Sequence, residues 1–326
     1  MMRCRALAAA FVCLVPAIAA AEPLVSDGEI VLDGVRGRID HLAVDLPRRR
    51  LLVAELGNDT VDVLDLTKRI RAARFAGLAE PQGVGVAPRG DRYAVANARD
   101  GTVRLYDAED WRPTGTVDLG DDADNVRVDW NTGQLVVGYG SGGIATIDPT
   151  TAKVSGTIEL PAHPEGFQLD PRGLRIFVNL PDAHRIVIAD REAKRVVATW
   201  NPPGLSGNFP MAIDNTGTLV AAVFRSPPTL VIYAAADGTV RSRPSTCGDA
   251  DDVFFDAQRQ RIYVSCGNGA IDVFAASGTN YEHMARVTTT SGARTSLFVP
   301  ELDRLFVAQR AGVLSGDAAI RIFRPE

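Results

Sequence analysis

The sequence predicts an all-β fold, a seven-bladed β-propeller with four strands in each blade. One short apolar segment recurs seven times, and successive copies start 42, 42, 41, 44, 42 and 44 residues apart. Each copy is followed by further runs rich in β-branched residues and punctuated by Gly, Asn, Asp or Pro, the pattern of short antiparallel strands. A period of about 40 residues with several strands per unit is typical of propeller blades.

The first three strands of every blade follow from this pattern. The recurring segment is the first strand, and its copies are His41–Asp45, Gly83–Ala87, Asn125–Asp129, Gly166–Asp170, Pro210–Asp214, Asp252–Asp256 and Ser296–Pro300. The second strands follow a tight turn and are Leu51–Ala54, Tyr93–Ala96, Leu135–Gly138, Ile176–Asn179, Leu219–Ala222, Ile262–Ser265 and Leu305–Ala308. The third strands are Val61–Asp65, Val103–Asp107, Ile144–Asp148, Ile186–Asp190, Leu230–Tyr233, Ile271–Phe274 and Ile320–Phe323.

The fourth strands show how the ring closes. Extended runs such as Thr114–Leu119, Val154–Leu160 and Val196–Trp200 follow the third strands, but the seventh copy has none after Phe323. An unmatched run, Gly28–Gly34, stands before the first copy instead. Because a missing strand would leave unpaired edges at the seam, we expect this N-terminal strand to close the last blade.

Residues 1–21 are predicted to be a secretory signal peptide. Arg3 and Arg5 precede an apolar stretch, and small residues at Ala19–Ala21 fit a cleavage site. The stretch is too short to span a membrane, and the residues before Cys13 fit the alternative, a lipid-anchor motif, poorly. Residues 22–326 are then the propeller domain of a periplasmic or secreted protein without membrane insertion.

The predicted mature chain is acidic. Removing Arg3 and Arg5 leaves 33 basic and 40 acidic side chains, a net charge of −7. An acidic surface repels phosphate backbones, and no basic cluster offsets it. We therefore expect no binding of nucleic acid.

Cys247 and Cys266 are the two cysteines left after the signal peptide. An even pair in an exported protein suggests a disulfide. Cys247 lies in the linker that enters the sixth blade, and Cys266 ends the second strand where that linker arrives. A free redox pair is the alternative, although the chain has no Cys-x-x-Cys; a metal held by both thiolates is another.

The predicted functional site is one mouth of the central channel, where two sets of loops converge. These are the loops that precede each first strand and those that join each second strand to its third, the latter including Arg225. We expect this mouth to be polar and mostly acidic. The candidate ligand-binding residues are Asp40, His41, Asp124, Asn125, His163, Glu165, Asp251, Asp252 and Arg294.

Converging oxygen donors suit a hard cation, and Ca²⁺ takes 6–8 of them. The candidate ligands are Asp124, Asn125, Glu165, Asn208 and Asp252. The alternative is that Asp and Asn begin strands because their side chains satisfy nearby backbone groups. A site for Zn²⁺ or Cu²⁺ would need His41 and His163 to meet from blades one and four, which requires a narrow channel.

The second and third strands resemble the YVTN repeat, a Tyr-Val-Thr-Asn strand followed by a short turn and Val-x-Val-Ile-Asp. The likeness rests on Tyr263–Cys266 with Ala270–Phe274 and on Ala94–Asn97 with Thr102–Asp107. The resemblance covers the predicted mature chain. It implies a seven-bladed propeller exported to the periplasm or cell surface, with no catalytic residues to carry over.

Our leading functional hypothesis is a non-catalytic, monomeric propeller that binds a small ligand, a peptide or a partner protein at the mouth. The rival is a Ca²⁺-dependent hydrolase or lyase similar to the gluconolactonase-type propellers, with the cation polarising a carbonyl. A quinone-cofactor enzyme is a third reading, but it would need Trp-rich docking motifs, and the chain has only Trp111, Trp130 and Trp200.

Overall fold

The computed structural model describes residues 22–278, 280–312 and 316–326. The predicted signal peptide, residues 1–21, lies outside them. Within these ranges the chain forms seven four-stranded antiparallel sheets and two short 3₁₀ helices, Leu56–Asn58 and Pro300–Leu302. None of the described helices is long and apolar enough to cross a membrane.

Six blades consist of four strands that are consecutive in the chain, beginning with β2. Blades one to three are β2 Leu42–Asp45, β3 Arg50–Glu55, β4 Thr60–Asp65, β5 Ile70–Phe75; β6 Pro81–Val86, β7 Arg92–Asn97, β8 Thr102–Asp107, β9 Pro113–Asp118; and β10 Val126–Asp129, β11 Gln134–Tyr139, β12 Gly143–Asp148, β13 Lys153–Glu159. Blades four to six are β14 Phe167–Leu169, β15 Arg175–Leu180, β16 Arg185–Asp190, β17 Arg195–Trp200; β18 Ser206–Ile213, β19 Leu219–Ser226, β20 Pro228–Ala234, β21 Val240–Ser242; and β22 Ala250–Asp256, β23 Arg261–Cys266, β24 Ala270–Ser277, β25 Asn280–Thr288.

The seventh blade joins both ends of the described chain. Its strands are β26 Ser296–Val299, β27 Arg304–Gln309, β28 Ala319–Pro325 and β1 Leu24–Val31, in the order β1-β28-β27-β26. The predicted all-β propeller and its closure by the N-terminal strand are therefore confirmed. β1 begins and ends earlier than the predicted run, because its pairing with β28 extends from Leu24 opposite Pro325 to Val31 opposite Ala319.

The hydrophobic core lies between blades rather than inside them. Strand side chains alternate between the two faces of a sheet, so each blade offers an apolar face to both neighbours. Seven buried clusters result among the described residues, one for each pair of adjacent blades. Leu24 of β1 joins the cluster between blades six and seven, and Ile30 joins that between blades seven and one.

The outer edge of every blade carries a break in register. The shift lies between the third and fourth strands of blades one to six and between β28 and β1 in blade seven. Such bulges increase the twist of an edge strand and hinder pairing with another chain. The closing strand thus reproduces the edge of an ordinary blade.

Cys247 and Cys266 are bonded to each other, as predicted, with an S–S distance of 1.99 Å and a Cα–Cα distance of 5.9 Å. Both side chains are buried in the cluster between blades five and six. The bond ties the linker that enters blade six to the end of β23.

Candidate functional site

Seven structurally equivalent residues form a ring at one mouth of the channel. In blade one, Leu42 of the first strand pairs with Val53 of the second strand, and the ring residue, Asp40, lies two positions before Leu42. The ring residue of every other blade lies at the same place relative to its own strand pair. The ring consists of Asp40, Gln82, Asp124, Glu165, Phe209, Asp251 and Arg294, and all seven line a cavity of about 300 Å³, hereafter the mouth cavity.

Backbone hydrogen bonds hold this ring in place. The amides of Asp40, Asp124 and Glu165 donate to carbonyls of the second strand of their own blades, at 2.7, 2.9 and 3.1 Å. Each such bond extends the antiparallel ladder by one position beyond the inner strand. The repeat therefore brings side chains together that are some 40 residues apart in the chain.

Eight of the nine predicted ligand-binding residues line the mouth cavity, namely Asp40, His41, Asp124, Asn125, Glu165, Asp251, Asp252 and Arg294. His163 does not line it. His163 stands beside Asp124, and its Nδ1 donates to the carbonyl oxygen of Gly140 at 2.6 Å.

Asn208, a predicted calcium ligand, is not part of this cavity. The side chain is fully buried. Its Nδ2 donates to Oδ1 of Asn179 at 3.0 Å and to the carbonyl of Arg185 at 2.9 Å. Asn208 precedes a register shift in β18, and it contacts blade four instead of the channel.

The mouth carries charges of both signs, with a small excess of carboxylates. Among the described residues that line the cavity, the five carboxylates are accompanied by four guanidiniums, those of Arg38, Arg127, Arg225 and Arg294. Arg127 lies inside β10 and Arg225 lies on β19. Arg225 belongs to the loops that join second to third strands and is expected at the mouth, whereas Arg127 is not, because it lies inside an inner strand.

On the side formed by blades five to seven, the arginines and aspartates form ion pairs, although Nε of Arg294 makes no hydrogen bond within the described residues. Arg225 Nη2 lies 2.5 Å from Oδ1 of Asp251, and Arg294 Nη1 lies 2.7 Å from Oδ1 of Asp249. Arg294 Nε is also 3.1 Å from Asp251. The guanidinium of Arg225 stacks on Phe209, 3.7 Å from the ring centroid, which fixes its orientation.

On the side formed by blades three and four, acceptors lack donors. Asp124 and Asn125 are 5% and 1% exposed, and Oδ1 of each has no hydrogen-bond partner in the described part of the chain. The carboxylate of Glu165 takes part in none of the hydrogen bonds or ion pairs found within residues 22–278, 280–312 and 316–326. Three neighbouring side chains thus offer unpaired oxygens to the cavity.

Two imidazoles flank the Asp124 carboxylate. His41 Nε2 lies 3.7 Å from Oδ1, and His163 Nε2 lies 3.9 Å from Oδ2. Burial alone would raise the pKa of Asp124, but His163 and His41 hold it below its usual range. Burial opposes the charge of His163, yet Asp124, the Gly140 carbonyl and Asp122 raise its pKa to about 9.

Three further carboxyl groups of the mouth, those of Glu165, Asp40 and Asp252, have a raised pKa. Burial, with the nearby charge of Asp124, raises the pKa of Glu165 to about 8. Burial raises the pKa of Asp40 to about 6, although His41 opposes it. Burial and the charge of Asp251 raise the pKa of Asp252, whose Oδ2 accepts a hydrogen bond from the Ser296 amide at 2.7 Å.

A metal-binding geometry is not formed here. In the described residues, no group of three or more His, Cys, Asp or Glu side chains is placed to hold a metal ion. The oxygens of Asp124, Asn125 and Glu165 are the closest approach to the predicted calcium site, and that site stays a prediction.

Comparison with known proteins shows the fold alone. No protein-family model matches the chain, and neither does any curated protein. Among solved structures, a chain of Kuenenia stuttgartiensis hydrazine synthase is similar, with a TM-score of 0.76, 16% identity and coverage of 89% of this chain and 98% of that one. A chain of the mitotic checkpoint complex has a TM-score of 0.80, 15% identity and 99% coverage of both chains. The likeness to the YVTN-repeat family is not tested by these matches.

Proposed function

We propose that the protein is an exported, non-catalytic propeller that binds a small ligand in the mouth cavity. A cationic or hydroxyl-rich group of the ligand would lie against Asp124, Asn125 and Glu165. The observation that carries this proposal is the set of acceptor oxygens without donors on blades three and four. Leaving a buried polar atom unpaired costs about 1–3 kcal/mol, and a ligand that donates hydrogen bonds there recovers this free energy.

The charge arrangement favours a donor over an anion. The guanidiniums of Arg225 and Arg294 are already engaged by Asp249 and Asp251, whereas the oxygens opposite them are not. The cavity volume of about 300 Å³ lies at the lower end of the range for small-molecule sites. It suits a small molecule, or one side chain of a peptide or partner protein, better than a large rigid ligand.

Export is supported by the bond between Cys247 and Cys266, since disulfides persist mainly in oxidising compartments. The net charge of −7 left after the predicted signal peptide supports a site that does not bind nucleic acid. We place the protein in the periplasm or outside the cell, as a monomer.

The test is calorimetric titration of the mature protein with three probe classes: quaternary ammonium ions, polyols and CaCl₂. We expect binding of an ammonium or polyol probe, weakened about tenfold or more by Glu165→Gln. The matched control is Glu159→Gln, at the exposed end of β13, which should bind as the wild type does. Absence of binding in all three classes, or equal binding by both variants, contradicts the proposal.

A second candidate is the Ca²⁺-dependent hydrolase or lyase. It is favoured by Glu165, because a pKa of about 8 keeps this carboxyl protonated at neutral pH and able to act as a general acid. The two similar structures are described as a hydrazine synthase and a mitotic checkpoint complex, so the fold does not decide between an enzyme and a binding protein. Elemental analysis of the purified protein separates the candidates, since a stoichiometric cation favours the enzyme.

A further inference from the structure

Beneath the mouth cavity the channel continues into a second cavity of about 500 Å³, hereafter the channel cavity. His41, Arg127, Met211 and Asp252 line both cavities. The two spaces are therefore stacked along the channel and share one wall of side chains.

The channel cavity is lined by an apolar ring with one residue from each blade. These residues occupy equivalent register positions, two places beyond the position of Leu42 in blade one. The ring consists of Val44, Val86, Val128, Leu169, Ile213, Phe255 and Phe298. Five of the seven are only half-buried, namely Val44, Val128, Leu169, Ile213 and Phe255. Packing between blades does not bury these five fully, and all seven residues of the ring line the channel cavity.

The two long polar side chains beside this ring are directed to backbone. Arg127 Nε donates to the carbonyl of Phe167 at 2.9 Å, and Gln168 Nε2 donates to the carbonyl of Met211 at 2.7 Å. Both bonds satisfy carbonyls at the exposed edges of inner strands. These two donors are thereby engaged by backbone, and the seven side chains of the ring form the apolar part of the channel wall.

An exposed aromatic residue marks the other end of the channel cavity. Trp130, which follows β10, also lines it and is 71% exposed. A large apolar side chain kept in water at the rim of an apolar channel is costly for the free protein. A hydrocarbon ligand that reaches this rim would cover it.

We propose that the ligand is an amphiphile, with a polar head in the mouth cavity and an unbranched hydrocarbon chain in the channel cavity. The assignment of the polar head depends on the proposed function. The assignment of the hydrocarbon chain depends on the apolar ring and on Trp130. Apolar surface on both chain and wall leaves water on binding, and this is the driving force. The unpaired acceptor oxygens of Asp124, Asn125 and Glu165 lie at the mouth and the apolar ring lies below it, and this arrangement sets the orientation of the amphiphile.

The experiment titrates the mature protein with n-alkyltrimethylammonium ions of increasing chain length, each below its micelle concentration. The affinity should rise roughly fourfold for each added methylene, from about 0.8 kcal/mol per buried CH₂, until the cavity is filled. The emission of Trp130 should shift to shorter wavelength with the longer chains, and Trp130→Phe should remove this shift.

Variants inside and outside the channel complete the test. Val128→Asp should flatten the dependence on chain length, and Val128→Thr serves if the first variant does not fold. Val154 lies on the outer strand β13 and is 40% exposed. Val154→Asp should leave the dependence of affinity on chain length unchanged.

The outcomes separate the two proposals. If tetramethylammonium binds but affinity does not grow with chain length, the amphiphile inference is overturned and the proposed function stands. A chain-length dependence that survives both Val128 variants places the chain elsewhere and also overturns the inference. A dependence that Val128→Asp removes and Glu165→Gln leaves unchanged supports the channel site and contradicts the proposed head site.

Discussion

His163 and Asp124 come from loops 39 positions apart in the chain, yet Nε2 of the first lies 3.9 Å from Oδ2 of the second. Together with His41 on the other oxygen of Asp124, this places imidazoles from blades one and four at one carboxylate. The two imidazoles therefore approach one carboxylate from opposite sides of the ring.

We expect His163 to titrate near pH 9 in the folded protein. Its pKa is raised from 6.5 to about 9. Protonated His163 therefore adds to the free energy of unfolding, fully below about pH 6.5, and this contribution is lost as the pH rises through 9. NMR titration of the imidazole resonances measures this directly, and Asp124→Asn should move the His163 midpoint towards its ordinary value. His283, on the outer strand β25, should not respond to that substitution. A His163 midpoint that the substitution leaves in place would contradict the pairing.

Two aspartates of the mouth should respond to amide substitution in opposite directions. Asp124→Asn removes a buried charge between two imidazoles and should lower the free energy of unfolding by on the order of 3 kcal/mol at pH 7. Asp252→Asn replaces a carboxyl whose pKa is raised and keeps an acceptor for the Ser296 amide, so stability should be unchanged or increased. Chemical unfolding of both variants is the measurement, and a shift in the same direction for both would show that charge does not distinguish them.

Glu165→Gln should stabilise the ligand-free protein increasingly as the pH rises. The pKa of Glu165 is raised from 4.5 to about 8. The contribution of protonated Glu165 to the free energy of unfolding is therefore intact below about pH 4.5 and is lost as the pH rises through 8. Gln cannot ionise, so the variant does not lose stability in this way. The difference in unfolding free energy should grow from near zero at pH 4.5 to at most about 5 kcal/mol at pH 9. Glu159→Gln, the same substitution at the exposed end of β13, is the matched control.

Removing the disulfide should weaken the protein without unfolding it. The bond closes a loop with a sequence separation of 19, for which the chain-entropy argument gives about 3 kcal/mol. The double substitution Cys247→Ala with Cys266→Ala should lower the unfolding free energy by that amount or less. Denaturant unfolding measures it, and a non-reduced digest should show the two peptides linked. Two free thiols in the exported protein would contradict the bond.

Deleting residues 22–35 should cause aggregation or a large loss of stability, because β28 would become an unpaired edge. A finer test compares neighbours on β1. Ile30 is 1% exposed and Val31 is 43% exposed, so Ile30→Ala should cost about 2–5 kcal/mol and Val31→Ala within about 0.5 kcal/mol. Thermal and chemical unfolding report both, and equal effects would mean that β1 does not seal the core.

The repeat made the blades predictable because each one is built from hairpins whose signals are local. The mouth residues could be named for the same reason, since any residue just before a first strand must reach the channel. The side-chain pairings could not be derived this way. Asn208 lies one position before the ring residue Phe209, so its side chain points to the opposite side of the strand and donates to Asn179 instead of entering the channel. Arg225 reaches the mouth only because Phe209 and Asp251 hold it there.

The two strands that close the ring lie far apart in the chain, with β28 beginning at Ala319 and β1 ending at Val31. A chain is synthesised from its N-terminal end, so β1 is made first and waits through six blades for its partner. Until β28 is made, β1 has no partner, and the apolar face of blade one that packs against blade seven stays incompletely covered. Folding of the ring can therefore finish only after its last strand has been synthesised.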